Sequence, residues 1–201
     1  MSYINQNRGD VRCGAYTTAY WIWEKGVARP NPSNVDDEEE VHKIYSAVRF
    51  DDKDMLIIKN NKTFSYMAEA MRGFSNPFKI SNYLNKKLDK ILKKPTTVQS
   101  ANAALNNMLQ VVGRPSSVTK VNSLINGESA ILIMGTTDVG GRPNPQHYIY
   151  AFGNDNIKLS NGHIGMTIID PAYGERLDVG FDLEGLPATF HGMKFLDAVI
   201  R

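Results

Sequence analysis

Ala130-Ile131-Leu132-Ile133-Met134, and after it Gln146-His147-Tyr148-Ile149-Tyr150-Ala151-Phe152, decide how this chain is read. The first is a short apolar run and the second is aromatic and β-rich, so both predict strands. Ile164 to Ile169 makes a third run, and Gly140 to Pro145 and Gly153 to Asn156 read as the turns between them. Upstream of Ser129 the pattern is helical. Cys13-Gly14-Ala15-Tyr16-Thr17-Thr18-Ala19-Tyr20-Trp21-Ile22-Trp23 carries Ala15, Ala19, Ile22 and Trp23 near helical spacing, with Gly26 as a stop. After the breaker cluster 28–34, the acidic run Asp36 to Glu40 suits the first turn of a second helix ending near Phe50. Between Thr63 and Ile125 three or four helix-like stretches follow. One has its face on Ile80, Tyr83, Leu84, Leu88, Ile91 and Leu92, another on Ala101, Ala104, Leu105, Met108 and Leu109, and Pro95 separates them. A helix-rich first part and an antiparallel sheet after it is an α+β arrangement, expected as one domain over 1–201, mainly helical over 1–128 and mainly β over 129–201.

Composition narrows the function. With 23 Lys+Arg against 21 Asp+Glu, the net charge of +2 supplies no large field for polyanions, so nucleic acid is not an expected partner. The lysines at 86, 87, 90, 93 and 94 read as a solvated helix face. No apolar run is long enough for a membrane span, and the first residues lack the apolar segment of an export signal. A cytoplasmic protein is expected, or one delivered without a classical signal into a host or target cell. No His/Cys spacing suits a metal, and no cofactor is expected.

The one cysteine, Cys13, falls at the predicted start of a helix, where backbone N–H groups and the helix dipole favour a thiolate. A thiol nucleophile needs a base. Among the four histidines, His42 lies in a charged helix, His163 beside the Asn161-Gly162 turn and His191 near the C-terminus. His147 opens the aromatic strand directly after a Pro/Gly-rich loop, where a rigid sheet can present an imidazole at the rim of a cleft. The next strand runs out through Ile168-Ile169-Asp170-Pro171; if the two strands pair, Asp170 can hold the ring of His147 in the tautomer that faces Cys13. For the developing oxyanion the backbone N–H of Cys13 is one donor, and the amide of Gln6 is a second, with Asn5 and Asn7 competing for that place.

These residues resemble the papain-like cysteine peptidase superfamily. Gln6, then Cys13-Gly14-Ala15, is followed by His147 134 residues after the cysteine and Asp170 a further 23 on. That order and separation are similar to the superfamily's, in which the histidine follows at roughly 130–150 residues. Tyr16 stands where the papain branch carries a second cysteine, and the third member is Asp. The pattern looks more like the compact bacterial branches, which include bacteriocin-leader peptidases and papain-fold effector and toxin enzymes. The resemblance implies a helical lobe carrying the cysteine, a β lobe carrying the histidine, and a peptidase acting through Cys13, His147, Asp170 and Gln6. It implies a protein or peptide substrate, with a cognate inhibitor or immunity protein as a further partner. The same triad would also serve a glutamine deamidase or an acyltransferase. From outside enzymology, the alternative is a binding protein in which Cys13 is structural and Tyr16, Tyr20, Trp21 and Trp23 pack against a partner.

Overall fold

The run from Cys13 has hardly any polar face, and a helix apolar all round belongs inside a protein. In the computed structural model, which describes residues 3–6, 9–27, 35–100, 103–112, 117–118, 129–140, 142–152, 157–158, 163–182, 189–190 and 193–200, it forms helix α1 (Cys13–Glu24). Every residue of α1 from Cys13 to Trp23 is buried. The helix ends where expected. Gly26 takes φ +81°, and the N–H groups of Gly26 and Val27 return to the carbonyls of Trp23 and Ile22. Tyr16, Tyr20, Trp21 and Trp23 are all core residues, with Trp21 against Tyr150 at 5.9 Å between ring centroids. They are therefore not available to pack a partner.

Around α1 stand α2 (Val35–Val48), α3 (Asp52–Asn60), a short 3-10 turn at Ser65–Met67, α4 (Ala68–Met71), α5 (Pro77–Lys87) and α6 (Ala103–Val112). The acidic residues Asp36, Asp37 and Glu38 occupy the first turn of α2, as the helix dipole favours. Helix α3 was not foreseen. Its apolar residues, Met55 to Ile58, are consecutive and show no helical spacing, but Asp51 and Asp54 form a reciprocal capping box that fixes its start. Helix α5 starts on Asn76, whose side chain accepts from the N–H of Phe78, with Pro77 in the first helical position. It stops at Lys87, short of the expected face: Ile91 lies beyond it and is exposed, as are lysines 86, 87, 90, 93 and 94.

The strands are β1 (Thr97–Ser100), β2 (Ser117–Val118), β3 (Ala130–Thr137), β4 (Pro143–Ala151), β5 (Ile157–Lys158), β6 (His163–Asp170), β7 (Glu175–Asp182), β8 (Thr189–Phe190) and β9 (Met193–Ile200). They make one sheet in the order β2-β1-β9-β3-β4-β6-β5, with β7 added to β6 and β8 to β9. All pairs are antiparallel except β1 with β2. The fold is α+β. Two strands from the mainly helical first part join the sheet, because β9 draws β1 in beside it.

Two expected turns need correction or lie out of view. Pro143 to Pro145 is the first part of β4, not a loop; among the described residues this half of β4 has only β3 beside it, and a proline survives in a strand where no neighbour needs its missing N–H. His163 is the first residue of β6, while residues 28–34, 153–156, 161–162 and His191 lie outside the described residues. Ile131, Ile133, Tyr148, Tyr150 and Ile169 share one continuous buried cluster with the residues of α1. Among the described residues no helix is long and apolar enough to cross a membrane.

Candidate active site

Cys13 is the first residue of α1 and 3% exposed. Its neighbour fixes how closely that helix end approaches the sheet. A Cβ on Gly14 would stand 2.4 Å from Ser75 Oγ, 2.5 Å from Ser75 Cβ and 3.3 Å from the Tyr148 ring. Ser75 is itself held, since its carbonyl accepts from Tyr148 Oη at 2.5 Å and it bridges to Arg49. Gly14→Ala is therefore expected to cost about 1–3 kcal/mol as an overpacked contact, read as a fall of several degrees in the thermal midpoint. Removing the opposing side chain with Ser75→Gly should recover much of it. If the two substitutions simply add, the close approach is not what requires glycine.

His147 reaches this point from the sheet. Pairing of Tyr150 with Ile169 and Ala151 with Ile168 makes β4 and β6 neighbours. Continued by one position, that register sets Asp170 across from residue 149, so Asp170 and His147 have the same parity across the two strands. His147 Nε2 lies 2.6 Å from Asp170 Oδ1, and Asp170 is only 2% exposed. The same Oδ1 accepts from the N–H of Ala172 at 2.8 Å, and the Asp170 carbonyl accepts from the N–H groups of Tyr173 and Gly174. The carboxylate is thus fixed by its own turn before it meets the ring.

With Nε2 turned to Asp170, the other ring nitrogen remains for Cys13, which lines the same cleft as His147. Burial alone would push the imidazolium down. Hydrogen bonds to Asp170 and to Cys13, with the negative charge of each, more than offset it and hold His147 up at about 10. The arrangement therefore favours a charged ring beside the sulfur across the neutral range.

Gln6 is carried to the same place by non-local backbone bonds. Its N–H donates to the Pro171 carbonyl at 2.7 Å, and the N–H of Tyr3 to that of Gly174 at 2.8 Å. Gly174, at φ +65°, allows this approach, for a Cβ there would sit 2.3 Å from the Tyr3 carbonyl oxygen. Gln6 Nε2 donates to the Asp10 carbonyl, and Gln6 Oε1 is buried without a hydrogen-bond partner among the described residues. Asn5 is exposed and Asn7 lies outside the described residues.

Cys13, His147 and Gln6 line one cleft of about 360 Å³ together with Gly9, Asp10, Val11, Phe74, Gln146 and Ala172. Val11, Phe74 and Ala172 give it apolar lining, and Gln6, Asp10, Gln146 and His147 give it polar lining. Gln146, Phe74 and Val11 carry no sequence signal of their own, since each enters the cleft only through the neighbour that the fold fixes. His42 is exposed on α2, away from this group. Among the described residues no cluster of His, Cys, Asp and Glu could hold a metal ion.

No model of a known protein family matches the chain, and no curated protein matches it.

Proposed function

We propose that the chain is a thiol hydrolase of amide bonds, with a papain-like arrangement of Cys13, His147 and Asp170. The observation that carries the reading is that a cysteine at a buried helix N-terminus and an imidazole line one cleft, with that imidazole 2.6 Å from a buried carboxylate. The Cys13 thiolate attacks the carbonyl carbon, and the carbonyl oxygen becomes an oxyanion facing the helix N-terminus and Gln6. As the C–N bond breaks, the His147 imidazolium gives its proton to the leaving amine, and a thioester remains on Cys13. Water then attacks; neutral His147 takes its proton, the C–S bond breaks, and the acid leaves with the thiolate restored. Asp170 keeps the ring oriented and its charge balanced throughout.

The thioester is common to peptide cleavage, glutamine deamidation and acyl transfer, so one experiment covers all three. Native protein and Cys13→Ala are mixed with activated esters, a peptide library and glutamine-rich proteins, then followed by intact mass. An acyl adduct on Cys13 alone, absent in Cys13→Ala, is the expected result. Shortened peptides then mark a peptidase, and glutamate in place of glutamine a deamidase. No adduct from any acyl donor, with the thiol labelled only after denaturation, would overturn the proposal.

A further inference from the structure

Asp10 and Arg12 precede the cysteine, and neither has a part in the triad. Arg12 Nε lies 2.9 Å from each carboxylate oxygen of Asp10, and Arg12 Nη2 lies 2.5 Å from Asp10 Oδ2. The same Nη2 meets Glu38 Oε1 of α2 at 2.5 Å, and Glu38 Oε2 accepts from Tyr16 Oη at 2.8 Å. Asp10 Oδ1 also accepts from the backbone N–H of Arg12 at 2.9 Å. The Arg12 and Asp10 side chains are 20% and 10% exposed, so this ion pair is largely removed from water and its geometry is held more firmly than that of a surface pair. Bonding to Asp10 chiefly, against the cost of burial and with help from Glu38, raises the Arg12 guanidinium further above its ordinary value.

What the clamp holds is the backbone of Asp10, and the carbonyl of Asp10 accepts from Gln6 Nε2. A carbonyl can only accept, so the nitrogen of the Gln6 amide must face it. One of the two N–H groups is committed to Asp10, which sets the direction of the other. Gln6 Oε1 is left buried with no partner. An amide free to turn would bring that oxygen to water or to a donor, so this orientation persists because its acceptor is fixed.

We infer that Asp10, Arg12 and Glu38 are positioning residues that lock the Gln6 amide at the cleft, and that breaking the clamp acts through Gln6 and not through the thiol. This rests on the thiol-hydrolase reading of the same site. Arg12→Lys tests it, because it keeps the charge near Cys13 and loses the planar fork that grips two carboxylates. Acylation of Cys13 by p-nitrophenyl acetate builds an oxyanion; alkylation by iodoacetamide, a displacement of iodide, does not. Losing one oxyanion donor costs on the order of 10²–10³-fold. Arg12→Lys is expected to slow acylation by about 10²-fold and to leave alkylation within about threefold of the native rate, since no oxyanion forms there. Gln6→Ala should match it, and the double variant should be no slower than Gln6→Ala alone.

A second readout needs no activity. In a ¹⁵N spectrum the Gln6 side-chain amide protons should be dispersed and one of them slow to exchange in the native protein, and both should revert to free-glutamine behaviour in Arg12→Lys. Unchanged Gln6 signals, or effects on acylation that multiply in the double variant, would overturn the inference. Should Arg12→Lys not fold, Glu38→Gln, which retains an acceptor for Tyr16 at the more exposed end of the clamp, gives the same two readings. A native protein that is inert to both reagents would refute the hydrolase reading instead, and the ¹⁵N spectra would still decide whether the clamp holds Gln6.

Discussion

His147→Ala is expected to slow acylation of Cys13 by about 10³–10⁴-fold, the upper range for loss of a positioned acid–base group, and to change the pH dependence of alkylation as well. The sign follows from the proton. Because the folded-state value of His147 is raised to about 10, above the ordinary 6.5, the imidazolium is present throughout the neutral range and is lost only as pH rises through that raised value. A thiolate beside it therefore keeps its counter-charge from acid to mildly alkaline solution. With iodoacetamide the native rate should exceed that of His147→Ala wherever the imidazolium persists, and the advantage should fade as pH rises through about 10. Without the ring that counter-charge is missing, and at pH 6 the rate should fall below the native one. Adduct formation at the single cysteine, followed by intact mass across that pH range, makes the comparison. Identical profiles for native protein and His147→Ala would mean that the ring has no hold on the sulfur.

The parts of this arrangement that were legible in the sequence are those carried by short, local patterns. The apolar run after Cys13 and the stop at Gly26 specified α1, and three runs of β-formers specified β3, β4 and β6. Cys13 stood out as the first residue of its run and Asp170 as the last, and His147 as the opening of an aromatic run, although in the structure it sits mid-way along β4 because Pro143 to Pro145 pair with β3. Asp51 and Asp54 also left a local signal, a capping box, but the nine residues of α3 expose most of their length and show little apolar periodicity. What could not be read is what pairs at a distance. Strand β9, from the end of the chain, lies between β1 and β3, and no pattern near Thr97 says that it will meet Ile200. That Gln6 lines the cleft while Asn5 is exposed is of the same kind, since it depends on a backbone bond to Pro171. So is the clamp, in which Arg12 is joined to Glu38 of a different helix.

Asp170 separates orientation from charge, and its two substitutions should therefore differ. In Asp170→Asn a side-chain oxygen can still accept from His147 Nε2 and from the N–H of Ala172, so the ring keeps its direction; what is lost is the negative charge 2.6 Å away. The raised value of His147 should then fall back towards the ordinary 6.5, because burial, which lowers it, is opposed only by Cys13. The imidazolium that survived to about 10 in the native protein should begin to lose its proton near neutrality, and acylation should drop by less than in Asp170→Ala because the general base keeps its place. Asp170→Ala removes the acceptor too. It leaves the Nε2–H of His147 without its acceptor in a largely buried site, at a cost of about 1–3 kcal/mol when no water replaces the partner, removes the bond from the N–H of exposed Ala172, and frees the ring to turn away from the sulfur. Acylation should fall by about 10²–10³-fold, with a lower unfolding midpoint than Asp170→Asn. A histidine titration by NMR, run beside the acylation rates, reads both effects. If His147 titrates at the same pH in native protein and in Asp170→Asn, the carboxylate is not what holds its proton, and the charge on the ring must be assigned to the sulfur alone.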